Sequence, residues 1–139
     1  MNREMVEIVR NQRPVSMRPD TSVRAACDQM YAHCIGAVLV LSDTDRLLGI
    51  FTGRDAVRVL AQGSDPAITL LRDVMTPNPD TLPARSTAIE ALRLMRDGGF
   101  RHVPVVDGDR VIGIVSRGDF RGLEQDRLDE ETGLWERLA

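Results

Sequence analysis

Gly49-Ile-Phe-Thr-Gly-Arg-Asp55 and Gly113-Ile-Val-Ser-Arg-Gly-Asp119 are two copies of one pattern: glycine, two apolar residues, a hydroxyl residue, two variable positions, aspartate. Each copy sits where an apolar run ends and a helix-compatible stretch begins. Thr52-x-x-Asp55 and Ser116-x-x-Asp119 have the form of a capping box, in which a hydroxyl and an acid three residues on satisfy the free amides of a helix start. That accounts for two of the three fixed positions. It leaves the glycine, inside a strand where glycine is unfavourable and signals close approach by another backbone or by a ligand. The same turn also suits an anion, because a helix N-terminus presents free N–H groups and partial positive charge. The aspartate can accept from the two hydroxyls of a ribose. On the residues alone both readings stand.

The duplication extends outward from the motif. Val23, Ala26, Cys27 and Met30 fall at i, i+3, i+4, i+7, and sixty-five residues later Ala88, Ala91, Leu92 and Met95 repeat the spacing, so each set predicts one face of an amphipathic helix. Ser22, and Ser86 or Thr87, stand where an N-cap is wanted. Apolar runs follow, Ile35 to Leu41 and Phe100 to Val106, with the composition of strands buried on both faces. Polar turns come next, Ser42-Asp-Thr-Asp45 and Asp107-Gly-Asp109, then second strands at Leu47 to Thr52 and Val111 to Ser116. The offset drops from 65 to 64 across the turn, which places one extra residue in the first hairpin loop. Asp55 and Asp119 then open another helix in each copy. Thr69 to Pro83 links the copies, and Ile8 to Pro19 plays the matching role ahead of the first. The fold class is therefore α/β (α+β), with two half-units packed through their sheets about a pseudo-twofold, because each is too small to be comfortable alone.

Composition narrows the function. The net charge is −3, and Leu123 to Ala139 carries six acids against two arginines, leaving about +1 for the rest. No basic stripe of the kind that grips a phosphate backbone is present, so nucleic acid is not an expected partner. All eighteen basic residues are arginine, which excludes a P-loop lysine, a Schiff base and a lysine general base. The longest near-apolar run, Ile35 to Leu41, is too short for a membrane span, and the N-terminus lacks a signal-peptide pattern. Cys27 and Cys34 are seven residues apart, too far along one helix for an unstrained disulfide, so reduced thiols in the cytoplasm are expected. Cys27 reads as a core residue and Cys34 as the more reactive thiol. His33 and His102 have no partners at metal-ligand spacing, and Ser116 with His102 lacks an orienting group and an oxyanion hole, so neither a metal site nor catalysis is expected. Near the C-terminus Leu134, Trp135 and Leu138 could form a short amphipathic turn that folds back or docks a partner.

The repeat unit, both Gly-h-h-Ser/Thr-x-x-Asp segments and Arg101-His-Val-Pro-Val-Val106 ahead of the second together resemble the CBS domain, the cystathionine-β-synthase regulatory module, in its usual tandem pair. The resemblance covers about residues 8–123: a first unit at 8–62, a second at 69–123, and an acidic tail at 124–139. It implies two β-α-β-β-α units with two clefts between them that take AMP, ADP, ATP, S-adenosylmethionine or a related adenosyl ligand, and no required cofactor. Carried over, Asp55 and Asp119 hold ribose, and Thr52 and Ser116 meet phosphate or ribose oxygens. Ala37, Val38, His102 and Val103 supply backbone groups and apolar walls for adenine, and Arg54, Arg101 and Arg117 neutralise phosphate. Copy two has Arg101 and Pro104 where copy one has Gly36 and Leu39, so a site without the counterpart of Arg101 is expected to hold a less charged ligand or none. The implied function is a stand-alone, non-catalytic sensor that pairs into a flat homodimer and signals to an unknown protein effector. The alternatives are an interaction scaffold with vestigial clefts and a redox-responsive module acting through Cys34.

Overall fold

Helix–strand–hairpin–strand order recurs twice in the computed structural model, which describes residues 3–120. The C-terminal turn expected around Trp135 lies outside these residues. A first sheet runs β1 (Ser16–Met17), β2 (Ala37–Leu41), β3 (Leu47–Thr52) and β4 (Thr76–Pro77), and a second runs β5 (Leu82–Pro83), β6 (His102–Asp107) and β7 (Arg110–Ser116). In each, a short strand pairs parallel to the first long strand, and the two long strands pair antiparallel through a hairpin. The first loop is the longer by one residue, as the shift in offset predicts: the Ser42 amide donates to the Arg46 carbonyl across it, whereas Asp107 pairs with Arg110.

Helix α2 (Val23–His33) starts where Ser22 accepts from the Ala25 amide at 3.1 Å, and α5 (Ala88–Gly98) where Thr87 and Glu90 form a reciprocal capping box. Thr87, not Ser86, is therefore the cap. Each of the two helices is stopped by a left-handed residue, Cys34 (φ 53°) and Gly99 (φ 70°), after which Ile35 and Phe100 donate back to Met30 and Met95. The expected apolar faces are the buried ones: Val23, Ala26 and Met30 in the first unit, Ala88, Ala91 and Met95 in the second. Helix α3 (Gly53–Ala61) follows the first motif as expected. After the second motif only a 3₁₀ turn, Arg117–Phe120, falls within the described residues, with Phe120 sealed in the core.

The cores are completed crosswise. Helix α1 (Met5–Ile8) precedes the first unit but packs on the second, where Met5 and Val9 join Leu82, Val103 and Phe120. Its backbone is pinned there, with Met5 and Val6 donating to the Ser86 and Ala84 carbonyls and Ala88 donating to Arg3. Helix α4 (Leu71–Val74) opens the second unit but packs on the first, placing Leu71 among Val23, Val38 and Val59. Strand β4, on the same linker, adds to the edge of the first sheet. Packing thus crosses the boundaries that the repeat suggests at 8–62 and 69–123.

These crossings account for both motif glycines. A methyl group on Gly49 would lie 2.8 Å from the Thr76 carbonyl oxygen and 2.5 Å from Met75 Sδ. One on Gly113 would lie 2.6 Å from Val9 Cβ. The close neighbour is the linker, not a ligand. Because a backbone carbonyl cannot rotate aside, Gly49→Ala is expected to destabilise the fold by about 1–3 kcal/mol. Urea unfolding checks this, and an unchanged midpoint would show that the linker is not held against β3.

Candidate functional site

Two clefts open between the units, each assembled from the same three parts. One part is the motif turn of one unit, the second is the helix-to-strand junction of the other, and the third is a linker. The smaller cleft, about 420 Å³, combines Ser116, Asp119 and Ile114 with the His33–Ala37 junction and with Gln12 to Val15. The larger, about 690 Å³, combines Thr52, Arg54, Asp55 and Arg58 with the Gly98–His102 junction and with Thr76, Pro79 and Asp80. Both volumes lie in the range of small-molecule sites. Gly36 and His102 line both clefts. His102 rests against Gly36, where an added methyl group would come within 3.0 Å of its Nε2.

Within each unit the motif is tied to its own strand start, Gly53 donating to the Gly36 carbonyl and Arg117 to that of Arg101. The capping box is reciprocal at Thr52 and Asp55, whereas at Ser116 and Asp119 only the carboxylate half is made, and the two aspartates are employed to different degrees. Asp55 is 4% exposed. Its Oδ2 accepts from the Thr52 amide at 2.9 Å and the Thr52 hydroxyl at 3.2 Å, while its Oδ1 faces Arg58 at 3.2 Å and the Thr76 hydroxyl at 3.4 Å. The carboxylate is enclosed by donors. Asp119 is half-buried and uses only Oδ2, which accepts from the Ser116 amide at 2.7 Å and the Ser116 hydroxyl at 3.3 Å. Among the described residues nothing hydrogen-bonds its Oδ1, which is left to the cleft.

Of the residues expected to form the site, Ala37, Ser116, Asp119 and His102 meet in the smaller cleft, and Thr52, Arg54, Asp55, Arg101 and His102 in the larger. Val38, Val103, Pro104 and Arg117 line neither; the two valines belong to the cores of their units. Alternation explains the two valines, since the residue after a cleft-facing one on a strand points into the sheet interior. Sequence reasoning missed the linker walls, Gln12 to Pro14 and Thr76 to Asp80, and the Arg58 clamp. The linkers carry no motif of their own. Arg58 was detectable as an ion-pair partner one helical turn after Asp55, and the position that repeats it is Gly122.

Burial lowers the pKa of His102 below the usual histidine value; the Asp119 carboxylate works against this and Arg101 with it. Burial likewise raises that of the Cys27 thiol, with Asp28 adding to the effect, so this sulfur stays protonated at neutral pH. Cys34 is exposed on the wall of the smaller cleft. Among the described residues no cluster of His, Cys, Asp or Glu could hold a metal, and no helix is long and apolar enough to cross a membrane.

The model of the CBS domain matches residues 6–62 and 71–125. Among curated relatives, the CBS domain-containing protein CBSCBSPB2 of Arabidopsis thaliana is 40% identical over 111 residues, 79% of this chain and 21% of that protein. The chain thus spans about a fifth of its length. Among solved structures, the CBS-domain containing protein ATU1752 from Agrobacterium tumefaciens superposes with a TM-score of 0.77 at 35% identity, covering 84% of this chain and 89% of the other. The CBS domain pair of protein MJ0100, solved with 5′-methylthioadenosine and S-adenosyl-L-methionine, gives 0.79 at 25% identity, covering 87% and 98%.

The unequal use of the aspartates predicts unequal structural roles. Asp55→Ala strips several buried donors of their acceptor and is expected to cost about 2 kcal/mol, whereas Asp119→Ala costs less; urea unfolding of both variants without ligand makes the comparison. A second expectation follows from His102. Its folded pKa lies below its unfolded value of about 6.5, so the unfolded chain takes up the proton more readily. Its contribution is complete above that pH and is lost as pH falls through it. Unfolding midpoints at pH 7.5 and 5.5 should converge in His102→Gln relative to wild type.

Proposed function

Because the chain belongs to the CBS-domain family and carries two CBS domains in tandem, we propose that it binds an adenosyl nucleotide in its inter-unit clefts and acts as a regulatory sensor. CBS domains are regulatory, not catalytic, modules. The observation that carries the reading is that, among the described residues, only Oδ2 of Asp119 is hydrogen-bonded, on the wall of a nucleoside-sized cleft. A carboxylate with one oxygen held by the Ser116 amide and hydroxyl and the other without a partner among the described residues is preorganised to accept from a vicinal diol, the feature that all adenosyl ligands share. Ser116 adds a hydroxyl beside it, and Ile35, Ala37 and Ile114 offer apolar surface for a purine. The MJ0100 pair, solved with two adenosyl compounds, supports the same ligand class here.

In the larger cleft, ribose hydroxyls would meet Asp55 only by displacing Thr76 and Arg58, so the adenosyl reading rests first on the Asp119 side. Tyr31, Val57, Leu60 and Ile68 are exposed apolar residues of the first unit, between 65% and 88% accessible. We assign them to a homodimer face, through which ligand state would reach a protein effector. The free thiols of Cys27 and Cys34 suit a reducing compartment such as the cytoplasm. The exposed apolar face also fits a second reading, an interaction scaffold whose clefts are vestigial.

Thermal shift with AMP, ADP, ATP, S-adenosylmethionine and NAD separates these. A ligand at about 100 times its dissociation constant adds about 2.7 kcal/mol, a rise of several degrees. The expected result is a rise with at least one adenosyl compound that disappears in Asp119→Ala. No rise with any of them in wild type would transfer the weight to the scaffold.

A further inference from the structure

The two clefts differ in charge as well as in volume. The smaller is lined by one arginine, Arg13, and one carboxylate, Asp119. The larger is lined by Arg54, Arg58 and Arg101 against Asp55 and Asp80. Arg58 is committed to Asp55 and to the Val74 carbonyl. Arg54 and Arg101 make no ion pair or side-chain hydrogen bond with any described residue. They approach the cleft from opposite units: Arg54 from the first turn of α3, Arg101 from the junction ahead of β6. Between them the nine-residue helix α3 presents its N-terminal end, adding partial positive charge. Across the pseudo-twofold, Gly36 stands where Arg101 would be, so the smaller cleft has no counterpart to that fork.

We propose that the Asp55 cleft is a site for a condensed phosphate chain, recognised by its charge and not by a nucleoside. This deepens the nucleotide-sensor reading, and rests on it for the view of the clefts as ligand sites, by assigning each cleft a ligand class. The diol-recognition group of this cleft is spent: all the polar valence of Asp55 is turned to Thr52, Thr76 and Arg58. What remains unsatisfied is cationic. Two guanidiniums facing one cleft from opposite walls can each present a planar fork to phosphate oxygens, the geometry in which arginine binds phosphate best. A chain of two or three phosphates supplies oxygens and charge along its length, for both walls at once. Asp80 opposes any anion, the chain included, but is outnumbered by Arg54 and Arg101. The smaller cleft, without free cation in excess, takes the nucleoside part or an adenosyl ligand of low charge. The module would then read two quantities at once, an adenosyl compound on one side and phosphate-chain supply on the other.

The test is isothermal titration of sodium tripolyphosphate into the full chain at low salt without divalent cations, with adenosine titrated separately. Wild type is expected to bind tripolyphosphate, and Arg54→Ala/Arg101→Ala to weaken it at least tenfold. The Arg54→Lys/Arg101→Lys pair keeps the charge but loses the fork, and is expected to weaken binding less. Both arginines are exposed and have no side-chain partner among the described residues, and circular dichroism checks that each double variant is folded. GTP titrated into wild type distinguishes the source of the chain. GTP binding within tenfold of tripolyphosphate identifies the charge of the chain as sufficient and supports the assignment, whereas GTP at least tenfold tighter shows that the nucleoside is read and overturns it. Absence of tripolyphosphate binding to wild type, or binding unchanged in Arg54→Ala/Arg101→Ala, overturns it. Adenosine binding without tripolyphosphate binding sinks this inference and leaves the sensor reading intact. The reverse pattern upholds the phosphate site and removes the adenosyl reading of the Asp119 cleft.

Discussion

The pressing of each linker against the glycine of a motif strand is the contact on which the rest of the molecule depends. Gly49 and Gly113 lack the one atom that would hold Met75-Thr76 and Val9 away. With the linkers in place, Leu71 fills the first core and Met5 with Val9 fills the second. Neither half-unit has a complete interior of its own. The crossing also runs each linker along the rim of a cleft, where Gln12 to Val15 and Thr76 to Asp80 form the third wall. Stability and site geometry therefore share one cause.

The Ser/Thr-x-x-Asp turn serves two ends, and its copies have diverged in how far each is served. In the first copy the cap is reinforced by Arg58 and Thr76, which consume the remaining acceptor capacity of Asp55. In the second the cap takes one carboxylate oxygen and leaves the other to the cleft. A buried carboxylate must have its acceptor positions filled by something, and whether that something is protein or ligand separates a structural aspartate from a recognition one. His102, pressed on Gly36 at the junction of the clefts, belongs to both and has been desolvated by that position.

The repeat, the helix faces, the hairpins with their unequal loops and the membership in the CBS-domain family were all legible in the residues. Each is written in local periodicity, in capping pairs or in a motif repeated at a constant offset. Both faces of the ambiguity in the motif were legible too, as a cap and as a recognition turn. The glycine was read as a close approach without its partner being named, since the partner lies 26 residues away in one copy and 104 in the other. Val38 and Val103 were placed beside the adenine because the strand start was taken as a block, whereas strand alternation sends them into the cores.

What the sequence determined by itself, then, was everything carried by spacing: two copies of one unit, the elements in each, and the turn that could hold a nucleotide. What only the tertiary structure decided was which parts meet. The exchange of α1 and α4 between units, the pairing of each motif turn with the opposite junction, and the enclosure of Asp55 beside the openness of Asp119 all arise from contacts between distant segments. Such contacts are selected by the burial of apolar surface and the filling of volume, which reward any residue of the right size and leave no fixed spacing to read.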